Sequence, residues 1–386
     1  MRNIYRLLTT AIVCALVIAL FSCPSSPDPI NPPGFGTRTV SPNAKRLMNY
    51  LTDTYGEYIL SGQMDTAWAE NGRMDMIKRV YDDTGKYPAV KGFDFIGLPQ
   101  SGSGFGRFQV NEAIEWWEGK NKMGADLNAT VLLPDNPEIH GIVTFCWHWR
   151  VGSRSEFYSD RTNDFRIPMK DGKLDTSGAA FQTIKKDLET VADLLQLLKD
   201  RDIPVLWRPL HEAAGGWFWW GASGARPYKA LWEYMYSYLN NTKGLNNLIW
   251  VWNGQSYDWF PNANTVDIVG YDYYVDNPST AGVAQNYSSQ KRTFDLTLGM
   301  VPERNRMVAL TENGAIPNPD NCKTDEAMWL WFMTWNDSGN TVGETNRSNF
   351  WTGEYHNTQA HKEFVYNHEL VITLDELPDL TTYRLE

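Results

Sequence analysis

The chain has 386 residues, of which 42% are hydrophobic, so it is long enough for one large barrel domain or two medium ones and is not a disordered chain. Its formal net charge is −11, with acidic and basic residues interspersed and no basic stripe, which argues against nucleic-acid binding. An acidic protein also repels anionic membranes and polyanionic glycans, so a neutral partner is expected.

The first 22 residues have the features of an export signal. Arg2 and Arg6 supply positive charge, residues 7–21 are almost wholly apolar, and small residues precede Cys23. The pattern resembles the bacterial lipobox, whose cysteine is acylated, and predicts an exported lipoprotein anchored on the periplasmic side or at the cell surface. Residues 23–40, rich in Pro and Ser, predict a tether. The alternative is an ordinary cleaved signal peptide with a chance cysteine.

From residue 41 to residue 386, short apolar runs alternate with helical patterns, which are clearest at 183–199 and 228–239. Most of the apolar runs are continuous, as expected for parallel strands that are buried on both faces. Eight such units predict an α/β fold, a single (β/α)8 TIM barrel with its active residues at the carboxyl ends of the strands. The predicted strands are Tyr58–Gly62, Tyr87–Phe95, Gly141–Trp149, Ile203–Leu210, Asn247–Trp252, Val266–Tyr274, Arg306–Thr311 and Trp329–Trp335.

Two of the predicted strands lead directly into a glutamate. Glu212 follows the fourth strand and precedes a loop of glycine and tryptophan, and Glu312 follows the seventh strand. Because strand ends converge at the mouth of a barrel, the two carboxylates can lie close together. Glycoside hydrolysis needs such a pair, since one acid must donate a proton to the leaving oxygen and the other must be ionised at the anomeric carbon.

Residue spacing gives no indication of a metal site. A zinc-binding HExxH helix would need a second histidine where the stretch after His211 has Gly215, which excludes a zinc peptidase.

Outside the signal and Cys23, the cysteines are Cys146, in an apolar strand, and Cys322, in a predicted loop. Spacing alone leaves open whether these two form a disulfide bond.

The motifs around the two glutamates are long. They are Arg208–Glu212, Gly215–Gly221, Tyr228–Trp232, Asn246–Asn253 and Thr311–Gly314. Together they resemble glycoside hydrolase family 26, and the resemblance extends from about Pro42 to about Leu377. It implies a retaining endo-β-1,4-mannanase acting on β-mannan or manno-oligosaccharides, with no cofactor required. A monomer is expected.

The same resemblance implies roles for individual residues. Glu212 would be the general acid/base and Glu312 the nucleophile. His148 would bind the sugar, and His211 would bind it or orient the carboxylate. For each, the ordinary alternative is a buried histidine whose hydrogen bonds are satisfied within the core. Tyr274 would hold the nucleophile in place.

Four further residues complete the implied site. Asp272 would form hydrogen bonds near the nucleophile, and Trp335 would lie under the sugar at the cleavage site. Trp217 is a plausible further wall of the cleft, because an aromatic face suits the C–H face of a sugar. Arg208 would support the carboxylates, or form a purely structural ion pair. Other tryptophans are expected to serve in packing: Trp116, Trp117, Trp232 and Trp329.

Alternatives remain within and outside this family. A β-1,3/1,4-glucanase or a β-1,3-xylanase could use the same barrel, and a non-catalytic surface glycan-binding lipoprotein could share the fold. A polar stretch between a predicted helix at 111–118 and the third strand, Gly119–His140, is longer than that connection needs and is either an excursion or a lid. The sequence leaves open whether cleavage is internal or from a chain end, and how galactose branches are tolerated.

Overall fold

The computed structural model describes residue 35 and residues 38–66, 75–100, 102–121, 125–127, 138–159, 163–275, 284–337 and 347–386. The predicted signal, Cys23 and most of the predicted tether lie outside these ranges, as do residues 122–124 and 128–137 of the polar stretch before the third strand. Among the helices in the described ranges, none is both long and apolar enough to span a membrane.

Seven parallel strands form one sheet, and their order in the sheet is their order along the chain. They are β1 (Gly62–Met64), β2 (Val90–Asp94), β3 (Ile142–Cys146), β4 (Val205–Arg208), β5 (Leu248–Trp252), β6 (Ile268–Tyr273) and β7 (Met307–Asn313). Every residue of β1 to β5 and of β7 is buried, as the continuous apolar runs predict for strands covered on both faces. The first predicted strand, Tyr58–Gly62, divides in two. Ile59–Leu60 pairs with Val371–Ile372 outside this sheet, and Gly62 begins β1.

Residues 330–335 close the sheet into a barrel. Thr334 forms parallel bridges to Gln63 on the β1 side and to Asn313 on the β7 side. The backbone N–H of Met64 also donates a hydrogen bond to the carbonyl oxygen of Thr334 at 2.9 Å. The eighth predicted strand therefore lies between β7 and β1, and the prediction of a (β/α)8 barrel is confirmed.

α-Helices alternate with these strands except between β5 and β6, which two short 3-10 helices connect, Tyr257–Trp259 and Ala263–Thr265. In the described ranges the α-helices are α1 (Pro42–Thr54), α2 (Met76–Thr84), α3 (Gly102–Trp117), α4 (Ala179–Lys199), α5 (Ala225–Tyr236), α6 (Lys291–Gly299), α7 (Pro319–Thr324) and α8 (Gln359–Tyr366). Two short antiparallel pairs join Lys120–Asn121 to Ala125–Asp126 and Met169–Lys170 to Lys173–Leu174. The first of these pairs belongs to the polar stretch that precedes β3.

Helix α3 begins nine residues before the start that the sequence predicts. Its first turns contain three glycines, which have low helix propensity and therefore give no helical signal in the sequence. At one of them, Gly106, a Cβ would lie 2.2 Å from the side chain of Leu194 in α4, so the two helices are in close contact there. Close contact between the two helices thus overrides local propensity.

In the described ranges, both cysteines and the packing tryptophans are buried. Cys146 and Cys322 are free thiols, so the bridge that spacing left open is not formed. Cys322 lies in α7, and the prediction that it occupies a loop is wrong because Asn318 caps a short helix there. The tryptophans expected to serve in packing are buried, as predicted: Trp116, Trp117, Trp232 and Trp329.

Candidate active site

The chain turns sharply after β4, at the point where Glu212 lies. Leu210 and Glu212 both have positive φ, 54° and 53°, a conformation that costs free energy for residues other than glycine. The end of β5 holds this turn, because the N–H of Glu212 donates to the carbonyl oxygen of Asn253 at 2.7 Å. The backbone of the neighbouring barrel strand thereby fixes the position of the acid.

The glycine-and-tryptophan loop that follows presents one ring to the cleft. Trp219 and Trp220 are fully buried, and their indole N–H groups donate to backbone carbonyl oxygens. Trp217 is 45% exposed, and its Nε1–H donates to Oε2 of Glu212 at 3.0 Å. A Cβ on Gly215 would lie 2.0 Å from the Trp217 ring, so this glycine allows the indole to cross the backbone.

A register shift between β6 and β7 brings a second and a third acid together. Tyr271 pairs with Leu310, but the next residue of β6, Asp272, pairs with Glu312, which leaves Thr311 as an extra residue in β7. Asp272 and Glu312 therefore lie opposite each other. Glu312 is within β7 rather than after it, because β7 extends two residues beyond its predicted end.

Arg208, at the end of β4, lies between these two acids. Its Nη1 donates to Oδ2 of Asp272 at 2.8 Å, and its Nη2 donates to Oε1 of Glu312. The hydroxyl of Tyr274 donates to Oε2 of Glu312 at 2.8 Å. Both oxygens of Glu312 are thus held by donors that favour its ionised form.

Asp272 is held in turn from two other strands. Its Oδ1 accepts hydrogen bonds from Asn253 Nδ2 at 2.6 Å and from the Thr311 hydroxyl at 2.7 Å. Gly270 makes room for Thr311, since a Cβ on this glycine would lie 2.5 Å from the threonine side chain. Asp272 is therefore held by Asn253 and Thr311 through one carboxylate oxygen and by Arg208 through the other.

The three carboxylates form one compact group. One oxygen from each of Glu212, Asp272 and Glu312 lies within 4.8 Å of the others. Such a group could hold a cation, but the guanidinium of Arg208 already neutralises part of its charge. Retaining glycosidases place two carboxyl groups about 5 Å apart, whereas inverting enzymes place them about 6.5–9.5 Å apart to admit a water molecule. In this structure one carboxylate oxygen of Glu212 and one of Glu312 lie within 4.8 Å of each other.

The surroundings of the two glutamates give them different acidities. Burial raises the pKa of Glu212 to about 9, and the negative charges of Asp272 and Glu312 contribute to the increase. Burial and Asp272 also raise the pKa of Glu312, but only to about 7, because Arg208 and His148 oppose them. Glu312 therefore loses its proton first, which leaves Glu212 as the protonated member of the pair.

Two histidines and one further tryptophan lie beside Glu312. Nε2 of His211 is 4.0 Å from Oε1 of Glu312 and 3.2 Å from Nε2 of His148. The partly exposed ring of Trp335 lies at an angle to the His148 ring, with 5.7 Å between their centroids. The structure thus brings the predicted site residues together at the carboxyl ends of the strands, apart from Cys23, which is outside the described ranges.

Several residues at this site were not singled out from the sequence. Asp94 ends β2 and accepts a hydrogen bond from His148, so it follows the same strand-then-acid pattern that indicated Glu212 and Glu312. Asn253 and Thr311 lie inside the recognised motifs without an assigned role. Tyr158 is half exposed and stacks on Phe218 with 5.4 Å between centroids, and no pattern in the sequence indicates it.

Comparisons with a family model and with known proteins agree on the family of this chain. Residues 37–376 match the family model described as Glycosyl hydrolase family 26. A mannan endo-1,4-beta-mannosidase of Thermothelomyces thermophilus is 34% identical over 377 residues, which cover 94% of this chain and 67% of that protein. Mannan endo-1,4-beta-mannosidase B of Piromyces sp is 32% identical and is matched over 89% of this chain and 54% of its own length. The chain thus spans between about half and two thirds of these relatives.

Solved structures resemble the fold over most of the chain. A GH26-CBM35 beta-(1,4)-mannanase of Podospora anserina superposes with a TM-score of 0.71 at 32% identity, covering 94% of this chain and 72% of that one. A beta-mannanase from a symbiotic protist of the termite Reticulitermes speratus was solved with a gluco-manno-oligosaccharide. It gives a TM-score of 0.69 at 27% identity and covers 92% of this chain and 98% of that one.

Proposed function

The chain belongs to glycosyl hydrolase family 26, and from this membership and the geometry of its acids we propose that it is a retaining endo-β-1,4-mannanase. The observation that carries the mechanism is the short separation between Glu212 and Glu312, since one oxygen of each lies within 4.8 Å of the other. The names of the relatives support mannan as the substrate. Linear mannan, galactomannan and glucomannan all contain the β-linked mannose that this activity requires.

In the first proposed step, Glu312 attacks the anomeric carbon. Its carboxylate oxygen forms a bond to that carbon while the glycosidic C–O bond breaks, and Glu212 transfers its proton to the departing oxygen. The lower acidity of Glu212 supports this division of roles, because only a protonated acid can assist the leaving group. Arg208 and Tyr274 keep Glu312 oriented for attack.

In the second proposed step, water releases the sugar from Glu312. The ester carries no negative charge, so the electrostatic repulsion that raises the pKa of Glu212 becomes weaker and Glu212 can ionise. As a base it takes a proton from water, the water oxygen attacks the anomeric carbon, and the ester bond breaks. Two inversions give net retention, and both glutamates return to their starting protonation states.

Trp217 and Trp335 are proposed to bind the sugar through their exposed faces. Trp217 lies against the acid, and Trp335 lies beside the histidines on the Glu312 side. An aromatic face can cover the C–H face of a mannose ring while the hydroxyl groups find polar partners at its edge. His148, His211 and Asp272, on the Glu312 side, are proposed as polar partners of the sugar.

A digestion series tests the activity and substrate. Purified protein is incubated with linear mannan, galactomannan, lichenan and xylan, and the products are followed over time. We expect mannan and galactomannan to release a broad range of oligosaccharides early. Preferential cleavage of lichenan or xylan would contradict the substrate, early release of mannobiose alone would contradict internal cleavage, and no reducing-sugar release at all would contradict catalysis.

We further propose that the protein is exported and anchored through a lipid on Cys23. The apolar run that ends in small residues before this cysteine supports the proposal. Labelling cells with a radioactive fatty acid should mark the wild type, while Cys23→Ala should remain unlabelled and leave the membrane fraction. Equal labelling of both proteins would contradict the assignment.

A further inference from the structure

Asp94 is buried at the carboxyl end of β2 and holds His148 at two points. Its Oδ1 accepts a hydrogen bond from the backbone N–H of His148 at 3.0 Å. Its Oδ2 lies 2.6 Å from Nδ1 of the same histidine. Since a carboxylate only accepts, Nδ1 of His148 must carry a proton. The residue thus fixes both the orientation of the His148 ring and the protonation of one ring nitrogen.

The other ring nitrogen of His148 faces a second histidine. The Nε2 atoms of His148 and His211 are 3.2 Å apart, and the two ring planes are nearly perpendicular at 77°. One of these nitrogens must donate and the other must accept. Because Nδ1 of His148 is already protonated, a proton on its Nε2 as well makes this residue an imidazolium.

The hydrogen bond between the two Nε2 atoms can run in either direction, with His148 either neutral or an imidazolium, and the charges around the pair favour the imidazolium. Burial alone lowers the pKa of His148, but Asp94 and Glu312 together more than offset this effect and the pKa is raised. Burial lowers the pKa of His211 well below its ordinary value, and the charges of His148 and Arg208 lower it further. The ionisable groups around His148 come from several strands: Asp94, Arg208 and Glu312 act on its pKa, and Cys146 and His211 lie close to it.

We propose that Asp94 is a positioning residue that holds His148 as an imidazolium, so that its Nε2–H donates to a neutral His211 and its positive charge faces Glu312. This inference rests on the proposed role of Glu312 as the nucleophile. A positive charge near Glu312 favours its ionised form, which is the form that attacks. Asp94 thus acts on the reaction through the histidines and does not touch the substrate.

Replacement of Asp94 by Asn separates its charge from its size. The Asn oxygen can accept from the backbone N–H of His148, which turns the amide NH2 toward Nδ1. That nitrogen must then accept, so His148 becomes neutral while its Nε2–H still donates to His211. The variant also removes the negative charge of Asp94, but His148 is the member of this pair that lowers the pKa of Glu312. The pKa of Glu312 should therefore rise, and the acidic limb of kcat/KM should move to higher pH by about 0.5 to 1 unit.

The test compares the wild type with Asp94→Asn and a matched control, Asp187→Asn. Asp187 is also buried, and it accepts from Trp149 Nε1 at 2.8 Å and from the N–H of Gly152 at 2.7 Å, with no histidine contact. Profiles of kcat/KM against pH are measured on a linear manno-oligosaccharide. Nitrogen-15 NMR of the labelled histidines then reports the protonation of both ring nitrogens, with His148 assigned through its loss in His148→Gln.

We expect a doubly protonated His148 and a singly protonated His211 in the wild type near pH 6. Asp94→Asn should make His148 neutral and shift the acidic limb upward, while Asp187→Asn should change neither. A neutral His148 in the wild type, or an unchanged acidic limb in Asp94→Asn, would overturn the inference. The NMR measurement does not depend on turnover, so failure to cleave mannan would contradict the proposed function without deciding the state of His148.

Discussion

The two glutamates are built into the barrel in contrasting ways. Glu212 lies on a turn with positive φ after β4, and the one donor to its carboxylate in the described structure is the half-exposed ring of Trp217. Glu312 lies within β7, is buried, and receives hydrogen bonds from Arg208 and Tyr274. The backbone positions Glu212, and its anion is poorly stabilised. Glu312 is instead positioned by hydrogen bonds to its charged carboxylate.

This difference explains how one barrel can keep two neighbouring carboxyl groups in opposite states. Removal from water raises the pKa of both, and the positive groups on the Glu312 side oppose the increase there. The acid without such partners keeps its proton. The proposed roles thus follow from the different surroundings of Glu212 and Glu312, since the two residues are of the same type.

The largest effect is expected from Glu312→Ala. Loss of the nucleophile should lower kcat on mannan by on the order of 10⁴-fold or more, as for a residue that acts within a catalytic unit. Azide should restore turnover of an aryl β-manno-oligosaccharide by attack from the opposite face and give a glycosyl azide of inverted configuration. The product is identified by NMR, and a rescued product of retained configuration would contradict the assignment of Glu312.

Glu212→Ala should remove the proton donor of the pair. Its loss should lower kcat on mannan by about 10²- to 10⁴-fold, the usual contribution of a general acid. Aryl substrates with good leaving groups should still form the glycosyl-enzyme, because their departure needs no proton. Azide should then give a product of retained configuration, opposite to that from Glu312→Ala. Equal losses on mannan and on the activated substrate would be inconsistent with an acid role.

Arg208→Lys should weaken the charged surroundings of Glu312. Lysine keeps the positive charge, but its single ammonium group cannot reproduce the forked contact with Asp272 and Glu312. We expect kcat to fall by about 10²-fold with little change in KM, measured on linear mannan. The control is Arg306→Lys. The buried Arg306 donates to the backbone carbonyl oxygens of Val266 and Ala263 and to the side chain of Asn305, and none of these belongs to the site. Equal losses of kcat in both variants would indicate a general folding effect.

Trp217→Phe should give the smallest effect, on the Glu212 side. The indole N–H favours the ionised form of Glu212, so its removal should raise the pKa of this acid further. The basic limb of kcat/KM should therefore move to higher pH, by about half a unit for one partly exposed hydrogen bond. In Trp219→Phe, the lost bond is to a backbone carbonyl oxygen, so thermal stability should fall without a shift of that limb. A downward shift in Trp217→Phe would contradict the contact.

The sequence predicts the barrel and both acids because the signal for each is local. Continuous apolar runs indicate the buried strands, and an acid at the end of such a run indicates a group at the barrel mouth. Asp94 has the same local pattern, but its importance depends on His148, which lies 54 residues further along the chain. Its role is visible only when both strands are in place.

Other features of the site depend on tertiary structure from the outset. The pairing of Asp272 with Glu312 requires a bulge at Thr311, and a bulge is a property of two strands together. Trp217, Trp219 and Trp220 are the same residue type in one short loop, and only packing decides that Trp217 is the exposed one. The helical start of α3 is likewise set by its contact with α4.

The stereochemistry of the first product tests the central claim most directly. A β-linked manno-oligosaccharide is cleaved in deuterated buffer, and proton NMR records the anomer that forms before mutarotation. The carboxyl separation of Glu212 and Glu312 predicts the β-anomer first, because two displacements restore the original configuration. Initial formation of the α-anomer would show a single displacement by water and would contradict the roles proposed for both glutamates.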